Sequence, residues 1–252
     1  MGQRDRGRTP RTLVWGAAVL LSGALVLAAG KPGRRVDSLA LAAPTPLPGD
    51  LLAGKRFVID PGHGGFDPGA LGRVSREDTI NLAMAHALGR WLTAAGAEVV
   101  YTWSQPGDIP SRKKFRVQDR VQFINRTGAV ALIDIHCNSS GAAWRGPQTF
   151  YWDRRSSALL AEDVQSELQH LTGTRREVSR IDQYVLRHAR MPAINVEVGF
   201  ITNPAEERQL LDPAYQRRLT WAILVGIERW ALRGRWPESL LQQPPPRDLL
   251  RR

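Results

Sequence analysis

The sequence predicts an α/β fold: a mostly parallel central sheet with helices on both faces, in a single domain over residues 55–233. Three observations carry this reading. Short apolar runs alternate with stretches of helical spacing along the whole segment. Ala129–Ile135 is continuously apolar apart from one Asp, the pattern of a strand covered on both faces. Chemically active side chains fall near strand ends, where open α/β sheets gather ligands.

The elements follow in order. Arg56–Asp60 is a short apolar strand halted by Pro61-Gly62. Leu82, Ala85, His86, Gly89, Trp91 and Leu92 give residues Thr79–Ala95 helical spacing, and Gly96 suits the helix end. Glu98–Trp103 is the next strand, followed by a polar loop with Gly107 and Pro110. Val117–Thr127 is a helix stopped by Gly128, leading into the Ala129–Ile135 strand. Pro147–Trp152 is a strand and Ser157–Leu171 an amphipathic helix, with Gly173 just beyond it. Ala193–Val198 is the last strong strand, and helices over Pro204–Leu211 and Tyr215–Leu232 close the domain.

What lies outside this segment reads differently. Arg4, Arg6, Arg8 and Arg11 precede an uncharged, apolar run from Thr12 to Gly30, so residues 1–30 are a signal peptide or signal anchor. Residues 31–54, with Pro32, Pro44, Pro46 and Pro48, are a linker, and residues 234–252 a disordered tail. The main domain is therefore expected outside the cell, with a membrane contact through the N-terminal segment. The net charge is +11, yet residues 55–233 hold 24 Lys and Arg against 19 Asp and Glu. That mild excess argues against a nucleic-acid partner, which calls for a concentrated basic stripe, and suits an anionic polymer or a membrane surface. The single cysteine, Cys137, excludes an intrachain disulfide and a Cys-rich metal site.

Three features sit at predicted strand ends: Asp60-Pro61-Gly62-His63-Gly64-Gly65, His136 and Glu197. Taken singly each has a structural explanation. His63 is a turn residue, His136 a satisfied core histidine, Glu77 a solvated acid in a first helical turn, and Glu197 half of a buried ion pair. Taken jointly, two His and one Glu form the donor set of a catalytic zinc site with an open fourth position. Asp60 either backs a ligand imidazole or caps the loop. Glu197, between Val196 and Val198, is then a general base beside a metal-bound water. Cys137 points away from His136 on an extended chain and reads as a small buried thiol. His86, His170 and His188 lack a supporting constellation.

At this point four stretches resemble one family. They are Val58 through Ala70 (VIDPGHGGFDPGA), Glu77 four residues before Asn81-Leu82-Ala83, Ile135-His136-Cys137-Asn138-Ser139, and Met191-Pro192 through Asn203-Pro204. Together they are similar to the motifs of the zinc-dependent N-acetylmuramoyl-L-alanine amidases of the type 3 catalytic family. The resemblance covers about residues 55–233. It implies a zinc ion (Zn2+) held by His63, Glu77 and His136, with Glu197 as the catalytic base. The implied substrate is peptidoglycan, cut between the muramic acid lactyl group and L-alanine. Softer stretches resemble the germination-specific amidases that prepare spore cortex for muramic-δ-lactam formation: Ser111-Arg112-Lys113-Lys114, Gly146 through Tyr151, and Thr174-Arg175-Arg176 through Arg180-Ile181. A vegetative cell-separation amidase, a non-catalytic wall-binding module and another zinc hydrolase such as a carboxypeptidase are the alternatives. Arg180 and Arg187 are candidates to hold peptide carboxylates, and no accessory protein is identified by the sequence.

Overall fold

The computed structural model describes residues 50–109 and 116–233. The expectations for residues 1–30 and 234–252, most of the 31–54 linker and the Ser111–Lys114 motif lie outside the described residues. Among the described residues no helix is long and apolar enough to cross a membrane.

Six strands form one sheet: β1 (Arg56–Pro61), β2 (Glu98–Tyr101), β3 (Ala131–Asn138), β4 (Gln148–Tyr151), β5 (Ser179–Arg180) and β6 (Ala193–Phe200). Their order is β2-β1-β3-β6-β4-β5. All neighbours are parallel except β4, which runs antiparallel to β6. The helices are α1 (Glu77–Ala94), α2 (Val117–Arg126), α3 (Arg155–Thr172), α4 (Tyr184–His188), α5 (Pro204–Leu211) and α6 (Pro213–Ala231). The expected α/β class is what is observed. The two-residue β5 and the five-residue α4 have no counterpart in the sequence reading, because neither is long enough to display a period. Leu52 is fully buried and its N–H bonds Ala95 O, so the packed core reaches back into the stretch read as linker.

Local chemistry sets the last two helices. Asn203 caps α5, its side chain accepting from Ala205 N and Glu206 N, with Pro204 at the first helical position. Asp212 does the same for α6 ahead of Pro213.

The alternation of strand side chains builds two unequal cores. Phe57, Ile59, Ile133, Ile135, Ile194, Val196 and Val198 face the larger one, with α1, α3 and α6. Val58, Leu132 and Ala193 face the smaller one, with Val121 and Ile124 of α2 and Val185 and Leu186 of α4. On this smaller face the strands change character along their length. Val58, Leu132 and Ala193 lie in register as an apolar row, and Asp60, Asp134 and Asn195 form the next row. His136 and Glu197 form the row after that, toward the carboxyl edge. His136 and Glu197 are therefore residues of the strands, where the sequence placed His136 just past one.

The larger layer is packed closely. A Cβ at Gly226 of α6 would fall 2.5 Å from Val164 Cα and 2.7 Å from Val164 N on α3, so the helices approach backbone to backbone. Gly226→Ala forces them apart and should cost about 1–3 kcal/mol. Thermal unfolding should show it as a melting temperature several degrees lower; an unchanged value would contradict the close approach.

Glu228, on the same helix, is buried, and Oε1 has no hydrogen-bond partner. Burial pushes its carboxyl up to about 8. In the unfolded chain the group ionises near its ordinary value of 4.5, while the folded chain holds the proton to about 8. The folded state thus binds more protons between these values, and stability falls as pH rises through that window. Glu228→Gln should be more stable than the parent at pH 9, by up to about 4 kcal/mol, and nearly equal to it at pH 4. Denaturant titrations at the two pH values check this; an equal difference at both would refute it.

Candidate active site

The site begins where β1 stops. Gly62 N–H still donates to Ile135 O at 2.8 Å, so the chain stays stitched to β3 beyond the strand. A Cβ at Gly62 would fall 2.2 Å from His136 Cε1: the imidazole of His136 lies where any larger residue would be. His63 follows with φ 64°, a left-handed backbone that non-glycine residues rarely adopt. Arg120 of α2, only 6% exposed, holds it there. Its guanidinium donates to His63 O at 2.6 Å, Pro61 O at 3.1 Å and Asp60 Oδ1 at 2.9 Å.

Asp60 is fully buried and also accepts from Thr102 Oγ1. Burial raises its carboxyl to about 6, with Arg120 opposing and Asp134 adding to the rise. Asp60 therefore braces the loop and backs no imidazole. That work falls to two residues the sequence reading left aside. Asp67 Oδ2 lies 3.3 Å from His63 Nδ1, and Asp134 Oδ1 lies 3.3 Å from His136 Nε2. A carboxylate behind a histidine fixes the ring and its tautomer.

The opposite nitrogens meet at Glu77, the first residue of α1 and 3% exposed. Glu77 Oε1 lies 3.2 Å from His63 Nε2 and 3.0 Å from His136 Nδ1, and accepts from Cys137 N at 3.1 Å. Oε2 accepts from Ala70 N at 2.7 Å. Burial alone would raise this carboxyl, but hydrogen bonds and charge from the two imidazoles outweigh it and hold it far below the carboxylate range. The two rings stand edge to face with centroids 4.9 Å apart. Ligand atoms of His63, Glu77 and His136 all lie within 4.8 Å of one another.

This set fits a zinc ion: two imidazole nitrogens and one carboxylate oxygen converge, each imidazole backed by an acid. Electrostatics agree. Burial disfavours a charged His136, yet Asp134, Glu77 and Glu197 draw it well above its ordinary value. His63 is raised too, its burial outweighed chiefly by Glu77. The cluster carries negative charge that a bound cation would offset.

Glu197 faces His136 across the β3–β6 pair. Oε1 accepts from Asn195 Nδ2 at 3.1 Å, and Oε2 is buried with no hydrogen-bond partner. Burial lifts this carboxyl to about 6, against the pull of His136 and Asn195. Asn195 Nδ2 also donates to Gln183 Oε1 at 3.2 Å, and Gln183 Nε2 to Asp134 Oδ2 at 3.4 Å. A hydrogen-bonded path thus runs from Glu197 through Asn195 and Gln183 to the acid behind His136. Asp134 and Asn195 each stand two residues before a site residue, so the strand period points to both; nothing in the sequence points to Gln183 or Arg120.

The other candidates fall elsewhere. Cys137 is buried on the opposite face from His136, its Sγ 3.5 Å from Asn81 Oδ1. His86 bonds Ser104 O, His170 lies beside Glu167, and His188 stacks on Tyr184. Arg180 pairs with Asp153 and Arg187 with Asp182.

Comparison with known proteins is consistent with this geometry. Residues 57–229 match the family model for N-acetylmuramoyl-L-alanine amidase. The germination-specific N-acetylmuramoyl-L-alanine amidase of Bacillus subtilis is 34% identical over 191 residues, 71% of this chain and 81% of that protein. Among solved structures, the CwlD amidase of Clostridioides difficile, in complex with the GerS lipoprotein, superposes with a TM-score of 0.66 at 31% identity. That match covers 70% of this chain and 98% of the other. The catalytic domain of the amidase CwlV of Bacillus (Paenibacillus) polymyxa gives 0.64 at 35% identity, over 70% of this chain and 97% of its own. By this kinship a hydrolase, the chain belongs to the N-acetylmuramoyl-L-alanine amidase family.

Proposed function

We propose that His63, Glu77 and His136 hold Zn2+ and that Glu197 is the proton carrier for hydrolysis of the amide between the muramic acid lactyl group and L-alanine in peptidoglycan. The observation that carries this is the free Oε2 of Glu197, buried opposite a three-donor set with the composition of an open zinc site. A zinc ion in that set supplies Lewis-acid polarisation of the scissile carbonyl and acidifies water. The residues of the chain supply the rest. Asn195 holds Oε1 of Glu197, leaving Oε2 to take a proton as the water oxygen bonds to the carbonyl carbon. The same carboxyl then delivers that proton to the departing nitrogen as the C–N bond breaks. The products are a lactyl carboxylate and the free amine of L-alanine. A carboxyl raised to about 6 is suited to both halves of this task near neutral pH.

Cortex maturation in the spore is the setting we favour. It is supported by the softer sequence motifs and by the similarity to the germination-specific relative. The apolar run within residues 1–30 supports export and a tether on the outer face of the cytoplasmic membrane, and the complex of the CwlD amidase with a lipoprotein supports an accessory protein of that kind. Spores lacking this chain should have cortex without muramic-δ-lactam, read by muropeptide mass spectrometry. Normal lactam together with chained vegetative cells would move the assignment to cell separation.

The chemistry is tested by one pair of variants. Metal analysis should find one zinc per chain in the parent and in Glu197→Gln, and little in His63→Ala. Release of L-alanine amino groups from muropeptides should fall roughly two to four orders of magnitude in Glu197→Gln, with folding intact. Zinc loss in Glu197→Gln would make Glu197 a ligand, and full activity would end its role as base.

A further inference from the structure

A groove of about 1200 Å³ lies between the β3–β4 loop, the C-terminal end of α3, α5 and the start of α6, linked toward the site by Arg176, which bonds Gln148, the β4 neighbour of Glu197. Arg145, Arg175, Arg176 and Arg218 line it. Its one acid is Glu206, whose Oε1 accepts from Gly146 N and whose Oε2 accepts from Phe200 N, both at 2.7 Å. Arg176 is built in: it donates to Arg145 O and Gln148 Oε1 and lies 4.5 Å over the Phe200 ring. The side chains of Arg145, Arg175 and Arg218 have no carboxylate partner among the described residues. Trp144, 56% exposed, forms an aromatic wall stacked on Phe200.

The position matters as much as the charge. Gln148 pairs with Glu197 across β4 and β6, two residues beyond Gly146 on the groove wall. Phe200 is three residues past Glu197 on β6, about 10 Å along a strand. An extended peptide covers that distance in about three residues.

We infer that this groove binds the stem peptide of the substrate through its free carboxylates, downstream of the scissile amide. The inference rests on the amidase reading, since a polymer cut at Glu197 carries its peptide past this edge of the sheet. A guanidinium offers paired donors to a carboxylate, and three of them with no carboxylate partner among the described residues suit an anionic chain, Arg218 lying 5.9 Å over the Tyr215 ring. A phosphate polymer would meet the same charges, but it carries no amide that must also reach Glu197.

The test uses the full chain with Glu197→Gln, which leaves the ligand uncut, and calorimetry with two muramyl tetrapeptides: one with free carboxylates, one with them amidated. Arg175→Gln and Arg218→Gln together should weaken binding of the free-carboxylate form about tenfold or more. The same pair should make less than a twofold difference to the amidated form, so that the two changes are strongly non-additive. Equal affinity of the two chains for the free form would overturn the inference, as would an equal loss on both ligands or no binding of either. Arginine-dependent binding of poly(glycerol phosphate) with indifference to the muramyl peptides would assign the groove to a phosphate polymer instead. Failure of the amidase reading has a separate signature: the parent chain binds the free form through these arginines and does not cut it.

Discussion

The arrangement of the site depends on one buried cation. Arg120 reaches from α2 under the end of β1 and engages a carboxylate and two backbone carbonyls at once. A buried ion pair adds little net stability, since desolvation takes back most of the Coulomb gain. Removing one partner is another matter and costs about 3–5 kcal/mol. The pair therefore acts as a positioner. The bond from Arg120 to His63 O holds the left-handed turn from which Nε2 reaches Glu77.

How far the sequence reads the molecule follows from where periodicity is strong. The runs of β3 and β6 are nearly all apolar, so a polar residue inside them is conspicuous, and Glu197 is legible for that reason. His136 was harder to place, because strand β3 continues to Asn138 and the apolar pattern ends at Ile135. Counting back by two from His136 and Glu197 gives Asp134 and Asn195, the row beneath. Arg120 has no such signature: a basic residue on a short polar helix looks like a solvated one, and only the tertiary contact shows it buried. Gln183 sits ahead of a single-turn helix and acts across the chain, so local sequence says nothing about it. Helix α5 starts at Pro204 as read, behind the Asn203 cap, while the Asp212 cap starts α6 at Pro213, two residues before the reading, without touching the site.

The two faces of the sheet divide the work. The larger face packs Phe57, Ile59 and Val196 under three long helices, with a backbone-to-backbone approach at Gly226 and a Trp91–Trp221 contact. The smaller face exchanges apolar packing for polar rows as it nears the carboxyl edge. Burial there is what makes its charges strong, since few waters screen them. Beyond β6 the surface changes sign, from a cluster of carboxylates to a groove of arginines, so a cation and an anionic peptide would each find a complementary field within a short span.

Two glutamates that both neighbour His136 have surroundings suited to opposite tasks. Glu77 stands at a helix N-terminus, takes backbone N–H bonds on both oxygens and touches both histidines, all of which favour its ionised form. A group so fixed is suited to hold a cation and unsuited to carry a proton. Glu197 lies in a strand with one oxygen on an amide and the other on nothing, and burial lifts it to about 6. Its two protonation states are close in free energy near neutral pH, so it can accept a proton and release it. When neighbouring carboxyls are driven apart in this way, their environments support the proposed division into ligand and base where residue type is silent. The exchange of roles would require rebuilding both surroundings: a donor-rich helix end for Glu197 and a dry, single-donor strand for Glu77.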